Sequence, residues 1–282
     1  MDLILTQKSA LKKRAFWYSK TVMRILITAG GTAEKIDDVR RITNTGTGRL
    51  GAKVAERFAA AGAGNSITYI CSENAVRPQT GGAAPGEILD VIFCSDVDSV
   101  GEAVRKACAE TKFDVIVHSM AISDYRVRAV SDSALMTESV IERLSLLACG
   151  DSSSPEEAIR ETLLSPPGIS ERKISSEKED LVVVLEKAPK IIALFRGLAP
   201  NAVVVGFKLL SGAGEEELLR AGMALLEKND CDFVFANDME TVLADRHEGF
   251  LIARDGSFEG ASGKDGIAAL IVERATELVS KR

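Results

Sequence analysis

The feature that most constrains this chain is a predicted strand, a glycine turn and a predicted helix near its N-terminus. The apolar run at residues 25–28 predicts a buried strand. It ends at Gly30-Gly31, where the backbone can turn sharply and approach a ligand because glycine has no Cβ. A second cluster with glycines, residues 44–48, leads into a periodic apolar stretch at 50–61 that predicts a helix. Because helix N-termini bind phosphate through unpaired N–H groups, this order predicts a nucleotide site.

The glycine spacing differs from the common nucleotide-binding fingerprints. Residues 30–32 lack the G-x-G-x-x-G order of a dinucleotide fold, and residues 45–51 lack the G-x-x-x-x-G-K-[ST] order of a phosphate loop. This segment alone therefore leaves open the alternative that its glycines form ordinary turns between a strand and a helix.

Predicted strands and helices alternate along the rest of the chain. Further strands are predicted at 66–71, 88–94, 113–119, 202–207 and 232–236, and helices at 97–110, 189–198, 215–228 and 266–279. This alternation predicts an α/β fold with a mainly parallel sheet and helices on both faces. Ligands bind beyond the carboxyl ends of such strands, where residues 29–31, 121–124, 207–208 and Asn237 all fall.

Residues 131–170 interrupt the alternation. They are rich in Ser, Glu and Pro, and only residues 138–148 predict a helix there. An insertion of this length is usually functional or disordered. Beyond it, residues 182–185 predict a strand, and residues 250–253 with the turn at Asp255-Gly256 predict a small hairpin arm.

Composition excludes several classes of function. The net charge of −6 argues against general nucleic-acid binding. No apolar run approaches the roughly 20 residues that span a bilayer, and no secretory h-region is visible. The five scattered cysteines predict reduced thiols in a cytoplasmic protein. Two histidines are too few for a histidine-based metal site, and His118 at the end of a predicted strand favours a structural role.

Residues 1–22 differ in charge from the remainder of the chain. They carry five basic residues against Asp2, which leaves the remainder strongly acidic. We interpret residues 1–22 as a disordered basic leader, and residues 23–282 as one domain.

Six ordered segments carry a resemblance to a known family. The first is residues 25–51, and the others are residues 119–125, 173–176, 187–191, 205–209 and 235–238. Together they resemble the phosphopantothenate–cysteine ligases, whose opening reads I-T-x-G-G-T-x-x-x-I-D-x-V-R-x-I-[ST]-N-x-S-[ST]-G-x-x-G. The positions of the first segment in register are Gly30, Gly31, Thr32, Ile36, Asp37, Val39, Arg40, Ile42, Asn44, Gly48 and Gly51.

The resemblance implies a fold, a reaction and partners. It implies a Rossmann-like ligase domain whose region 131–180 is an insertion and a mobile flap over the nucleotide, in a homodimer. The implied reaction joins 4′-phosphopantothenate to L-cysteine through an acyl-nucleotide, in coenzyme A synthesis. CTP or ATP is the implied co-substrate with Mg²⁺; we favour CTP, because the overall pattern is most similar to bacterial ligases that stand alone, without a fused decarboxylase.

The resemblance also implies catalytic and substrate-binding residues, each with a structural alternative. Asn44 matches the asparagine that holds the acyl-nucleotide and the substrate; alternatively it caps the next helix. Lys173 matches a catalytic flap lysine, and alternatively is a solvated surface lysine. Arg40 faces the substrate's carboxylate or phosphate, or pairs with Asp37 or Asp38.

The implied nucleotide contacts follow the same motifs. For Asp124 the alternative is a turn aspartate, and for Phe207 a core position. The full set is Gly30, Gly31, Thr32, Gly48, Gly51, Ala121, Asp124, Phe207, Lys208, Lys228 and Asn237.

Two positions depart from the family pattern, and two other functions stay open. Gly46 replaces a serine, and Ala224 replaces one of a pair of lysines, of which Lys228 remains. We predict no protein ligand for the metal. One other function is an NAD(P)-dependent reductase, although none of the three tyrosines supplies a Tyr-x-x-x-Lys pair. The second is a nucleotide-binding module without catalysis.

Overall fold

The computed structural model describes residues 22–62, 64–80, 89–148, 154–169, 171–243 and 246–282. The predicted leader therefore lies outside the described residues, apart from Val22. The described strands are β1 Arg24–Ala29, β2 Ala33–Lys35, β3 Arg41–Thr43, β4 Ser66–Cys71, β5 Leu89–Phe93, β6 Val115–His118, β7 Tyr125–Ser131, β8 Val182–Lys187, β9 Val203–Leu210, β10 Phe233–Asp238, β11 Glu248–Ala253 and β12 Phe258–Ser262. The described helices are α1 Arg49–Ala61, α2 Val97–Glu110, α3 Ser133–Ala148, α4 Pro155–Leu164, α5 Ile192–Leu198, α6 Glu215–Asn229, α7 Met239–Leu243 and α8 Gly263–Lys281.

The central sheet has eight strands in the order β12-β11-β10-β9-β6-β1-β4-β5. The pairs from β10 to β5 are all parallel, and only β11 and β12 pair in antiparallel fashion. The predicted α/β fold with a mainly parallel sheet is confirmed. The predicted hairpin is present as β11–β12, but it forms an edge of this sheet and is not a separate arm.

Two apolar layers enclose the sheet because alternate residues of each strand point to opposite faces. On one face Ile25 and Ile27 of β1 pack with Phe58 of α1 and Ile271 of α8. On the other face Leu26 packs with residues of α2, α5 and α6. Helices therefore cover both faces, and the carboxyl ends of six parallel strands are left at one edge.

The insertion carries more regular structure than its composition predicts. The predicted helix begins earlier than expected, as α3, and α4 follows as a helix that was not predicted. Helix α4 begins with Pro155 after Ser154, whose hydroxyl accepts the Glu157 N–H in a capping box. Strands β7 and β8 form an antiparallel two-stranded sheet outside the central one, here called the ribbon.

In the part of the chain that the structure covers, no helix combines the length and the apolar character that a membrane span needs.

Candidate functional site

Three loops meet at the carboxyl edge of the sheet, after β1, after β6 and before α1. Gly31 and Ala121 form a parallel bridge beyond the ends of β1 and β6. The Ala121 N–H donates to the Gly30 carbonyl at 2.8 Å, and the Ala121 carbonyl accepts the Thr32 N–H at 3.2 Å. The same carbonyl accepts the side-chain amide of Asn44 at 3.0 Å. These bonds bring Gly30, Gly31, Ala121 and Asn44 into one site.

Thr32 connects the three loops and is itself 1% exposed. Its carbonyl accepts the Asn44 N–H at 3.1 Å, and its hydroxyl accepts the Ser123 N–H at 2.9 Å. Because these groups are already bonded within the protein, the position of Thr32 indicates a role in fixing the loops.

The structure excludes one alternative for Asn44. The N-cap of α1 is Gly48, with φ of 73°, and no side chain caps that helix end. Asn44 therefore does not cap α1. Its NH₂ group is held by Ala121, which orients the amide.

Close contact between the loops explains the departure at Gly46. A Cβ on Gly46 would lie 2.5 Å from the Gly30 carbonyl oxygen and 3.0 Å from the Cβ of Ala121. The first distance is too short for a real side chain and the second is very tight, so the serine of the family pattern does not fit this backbone. Gly30, at φ of +92°, is also tightly enclosed, since its Cβ would lie 2.2 Å from the Ser72 hydroxyl.

The N-terminus of α1 adds free backbone donors to the site. Gly51 packs so closely on β1 and β6 that a Cβ would lie 2.6 Å from that of Ala29 and 2.7 Å from the Ser119 hydroxyl. The first turn of α1 thus lies directly against the loop after β1. With no side-chain cap at Gly48, its N–H groups can bind an anion.

Arg40 forms an ion pair with Asp37, as one of the predicted alternatives had it. The two side chains meet at 2.7 Å, and the Arg40 side chain is 39% exposed. Asp37 also accepts the backbone N–H groups of Val39 and Arg40, at 2.7 and 2.6 Å. Burial by itself raises the pKa of Asp37, but these hydrogen bonds and the Arg40 charge hold the pKa below its ordinary value.

Lys173 is exposed, and it makes no hydrogen bond or ion pair with the described residues. Its neighbour Ile174 is 1% exposed and anchors the segment. The Ile174 N–H donates to Asp37 at 3.2 Å. Lys173 is therefore carried on a segment bound to the turn that holds Asp37 and Arg40.

Asp124 follows β6 and forms an ion pair with Lys190. Its side chain is 68% exposed, and its carbonyl accepts the Ala188 N–H at 3.0 Å. Lys190 was not predicted as a site residue, although it lies in the family segment 187–191, which was the available signal.

Phe207, Lys208 and Asn237 lie at the same edge on β9 and β10. Phe207 is half-buried, and its ring tilts against Phe235 with centroids 5.9 Å apart. Lys208 points to the opposite face because successive strand residues alternate. From β1 to β10 there are three strand spacings, or about 14 Å.

Lys228 is a predicted nucleotide contact that the structure does not bring to this edge. It lies in the last turn of α6, which starts at Glu215 after β9. The helix returns the chain to the amino end of the sheet over 15 residues, or about 22 Å. The structure therefore does not bring Lys228 together with the three loops, and Ala224 lies on the same helix.

His118 is structural, as predicted. Its side chain accepts from or donates to the Thr28 hydroxyl at 2.7 Å, and its ring packs edge-on against Phe195. Burial lowers the pKa of His118 from 6.5 to about 4.

A cavity of about 660 Å³ opens where the parallel strands begin, at the end of the sheet opposite the carboxyl edge. It lies between the β11–β12 hairpin and the end of α8. Its guanidinium groups are already paired: Arg196 and Arg282 hold the buried Asp232, and Arg274 pairs with Glu259. None of the three loops lines it, so we assign the functional site to the carboxyl edge.

No group of three or more His, Cys, Asp or Glu side chains is placed to hold a metal ion among the residues described.

The fold and site define an α/β protein whose mainly parallel sheet is covered by helices on both faces. A glycine-lined candidate ligand site lies at the carboxyl edge of this sheet. The DNA/pantothenate metabolism flavoprotein C-terminal domain family matches residues 21–149 and 165–278. The chain belongs to this family, which confirms the predicted resemblance.

Two relatives are named coenzyme A biosynthesis bifunctional protein CoaBC. The protein from Thermococcus kodakarensis is 30% identical over 232 residues, which cover 82% of this chain and 45% of that protein. The protein from Methanocaldococcus jannaschii is 27% identical over 274 residues, or 96% of this chain and 55% of that protein. The chain thus spans about half the length of the curated relatives it matches.

Solved structures share the fold. The DNA/pantothenate metabolism flavoprotein from Streptococcus pneumoniae has a TM-score of 0.72 and 29% identity, covering 91% of this chain and all of that one. A Cab2 mutant in complex with phosphopantothenate-cysteine has a TM-score of 0.60 at 17% identity, covering 96% of this chain and 91% of that chain. The second likeness concerns the fold alone.

Proposed function

We propose that this protein is a ligase that joins 4′-phosphopantothenate to L-cysteine in coenzyme A synthesis. The observation that carries the proposal is the position of Asn44, whose amide is held by Ala121 among glycine loops and beside the free N-terminus of α1. Family membership supports the same reaction. A positioned amide beside backbone donors suits an acyl-nucleotide intermediate, in which charge is spread over phosphate and carbonyl oxygens.

In the first half-reaction the substrate carboxylate attacks the α-phosphate of the nucleoside triphosphate, and pyrophosphate leaves. In the second half-reaction the cysteine amine attacks the acyl carbon and expels the nucleoside monophosphate with a carboxylate oxygen. Neither step needs a covalent enzyme nucleophile, so positioning and charge stabilisation are the protein's tasks. We assign Asn44 to the second step and Lys173 to the first, where its ammonium neutralises developing charge.

The nucleotide lies across the carboxyl edge in this proposal. Gly30, Gly31, Gly48 and Gly51 let the loops and the first turn of α1 pack closely, and Thr32 fixes the loops. In this proposal the phosphates bind the backbone of these loops. Ala121 and Asp124 contact the nucleotide from the loop after β6. The edge is about 14 Å wide from β1 to β10, which supports a contact from Phe207, Lys208 and Asn237 as well.

We infer that Arg40 acts on the substrate carboxylate or phosphate from the exposed part of its guanidinium. It keeps its bond to Asp37 while doing so, because a guanidinium carries several donors in a fixed fork.

We propose CTP as the co-substrate ahead of ATP, accompanied by Mg²⁺. Phosphates and water hold the ion in this proposal, as is usual for Mg²⁺ bound with a nucleotide. We also propose that residues 23–282 act as one ligase domain in which region 131–180 is a mobile flap. The four described cysteines are free thiols, which supports the cytoplasm as its compartment.

We propose a homodimer because the ribbon leaves apolar side chains exposed. Leu185 of β8 is 43% exposed and Leu181 beside it is 37% exposed. A two-stranded sheet is marginal by itself, and contact with a second copy would cover this surface.

Pyrophosphate release tests the proposal directly. Purified protein is mixed with 4′-phosphopantothenate, L-cysteine and Mg²⁺, and CTP is compared with ATP. Release that requires phosphopantothenate and is faster with CTP is expected. Nucleotide binding with no release would favour the non-catalytic module, and binding of a nicotinamide cofactor would favour the reductase.

A further inference from the structure

The turn between β2 and β3 is bound to the segment that carries Lys173. Asp37 in this turn accepts four hydrogen bonds. Two come from backbone N–H groups of the turn, one from the Arg40 side chain and one from the Ile174 N–H. One carboxylate oxygen, Oδ1, accepts the Val39 and Arg40 N–H groups at 2.7 and 2.6 Å. The other, Oδ2, accepts the Arg40 guanidinium at 2.7 Å and the Ile174 N–H at 3.2 Å.

Arg40 also binds the backbone of Ile174. Its Nη1 donates to the Ile174 carbonyl at 3.3 Å as well as to Asp37. Both polar backbone groups of Ile174 are thereby bonded to this pair, while the Ile174 side chain is buried. Asp37 is 5% exposed, so water does not compete strongly for these bonds.

The turn belongs to the same hairpin that carries Asn44. Residues of β2 and β3 pair in register from Ala33↔Thr43 to Lys35↔Arg41, and Asn44 follows β3 directly. Asn44 lies four positions after Arg40, which is about 13 Å of extended chain. Glu34 of β2 fixes the hairpin to α2 by accepting the Val97 N–H at 3.1 Å.

We propose that Asp37 is a positioning residue, which holds the Lys173 segment on the Asn44 hairpin so that both side chains address one bound intermediate. This inference rests on the proposed function, because it assigns Lys173 to the first half-reaction. Asp37 does not touch the substrate; it acts through the backbone of Ile174.

The neighbouring carboxylate of Asp38 does not hold the backbone of the segment as Asp37 does. It pairs with Lys35 at 2.5 Å and with Arg172 at 3.0 Å, but the Arg172 side chain is 94% exposed. Ion pairs at such an exposed site contribute little to stability. The far end of the segment is held separately, where Lys178 pairs with Asp132 at 2.6 Å.

The substitution Asp37→Asn removes one half of these contacts. Its amide oxygen can still accept the Val39 and Arg40 N–H groups and so keep the turn. Its NH₂ group then faces the Ile174 N–H and the Arg40 guanidinium, and two donors repel each other there. The substitution therefore weakens the attachment of the segment to the turn without deleting the side chain, and it leaves in place the bond from the Asp38 N–H to the Arg172 carbonyl at 2.9 Å.

Two measurements on the full chain test the proposal. Hydrogen exchange of residues 171–176 reports whether the segment is released. Single-turnover pyrophosphate release without cysteine reports the first half-reaction, and monophosphate release after cysteine addition reports the second. We expect faster exchange, a first half-reaction slowed about ten- to hundredfold, and an unchanged second half-reaction.

A matched control is Asp255→Asn, another turn aspartate, which accepts the Ser257 N–H at 2.9 Å far from the segment. This variant should match the original protein in every measurement. Unchanged exchange in Asp37→Asn overturns the proposal. Equal slowing of both half-reactions, or slowing of neither, also overturns it.

A second variant protects the test against misfolding. Ile174→Ala keeps the Ile174 N–H but removes the buried anchor, so the same kinetic pattern is expected from a different cause. If the original protein releases no pyrophosphate at all, the proposed function fails, and exchange in the two variants still decides whether Asp37 holds the segment.

Discussion

Asn44 is the side chain on which the proposed chemistry depends most. In Asn44→Asp the donor to the Ala121 carbonyl is lost and a negative charge stands beside the acyl-nucleotide. We expect pyrophosphate release in the first turnover to persist and product formation to fall about a hundredfold or more. Rapid-quench analysis should then detect accumulated acyl-nucleotide.

The control for this variant is Asn201→Asp, an exposed asparagine just before the amino end of β9, away from the three loops. It should turn over like the original protein. Loss of the first half-reaction in Asn44→Asp would contradict the assignment of Asn44 to the second step.

Gly46 is required by space at the junction of the loops. Gly46→Ala places a Cβ 2.5 Å from the Gly30 carbonyl oxygen, so the loops must separate. We expect the free energy of unfolding to fall by about 1–3 kcal/mol. Gly197→Ala in α5 has nothing within 4 Å of its new Cβ and should be neutral or stabilising by up to about 1 kcal/mol. Urea denaturation of both variants measures this difference, and equal effects would contradict the close packing.

His118 makes stability depend on pH in a predictable direction. Its pKa is about 4 in the folded protein against 6.5 ordinarily, because burial disfavours the charged ring. As pH falls from 6.5 towards 4, the unfolded chain takes up a proton that the folded protein refuses. Stability therefore declines by up to about 1.4 kcal/mol per pH unit in this window and is unaffected above it.

The variant His118→Gln removes this contribution. Denaturation at several pH values between 7 and 5 should give a flatter dependence for the variant than for the original protein. Parallel curves for the two proteins would contradict the assignment of the slope to His118.

At the scale of elements, apolar periodicity predicted the long elements of the central sheet well. Strand β4 and helix α2 have the predicted bounds, because their apolar residues face a covered layer. The hairpin β2–β3 was not predicted, since its strands have three residues each and β3 is exposed throughout. Its order comes from contacts with residues 172–174, far away in sequence.

Side-chain position was harder to predict than element type. Motif register predicted residues near Asn44 that the structure brings together, because the loops follow strands that end at one edge. The position of Lys228 at the far end of its helix could not be predicted, because register along the sequence does not reveal which end of a helix points towards the site. Gly46 departs from the family pattern in the sequence, and only the three-dimensional contact with Gly30 explains it.

The ribbon is the element whose partner we propose to be a second copy. Leu185→Glu places a charge on its exposed apolar surface and should convert the dimer into a monomer in light scattering. The control is Phe258→Glu on β12, which is 47% exposed but lies on the central sheet. A dimer in both variants, or a monomer before any substitution, would contradict the proposed interface.

At the scale of the whole molecule, the parallel sheet provides one edge where six strands end, and three loops close upon each other there. Asn44 and the N-terminus of α1 are fixed at this edge by the loops. The Lys173 segment reaches the same region through Asp37. The account therefore places both half-reactions at a single site, with the nucleotide as the activating group.

The transfer of a carboxylate oxygen tests this central claim most directly. 4′-Phosphopantothenate labelled with oxygen-18 in its carboxylate is converted with L-cysteine, Mg²⁺ and CTP or ATP, and the products are examined by mass spectrometry. The account predicts one heavy oxygen in the nucleoside monophosphate and none in pyrophosphate. Heavy oxygen in inorganic phosphate beside a nucleoside diphosphate, or no labelled nucleotide at all, would contradict it.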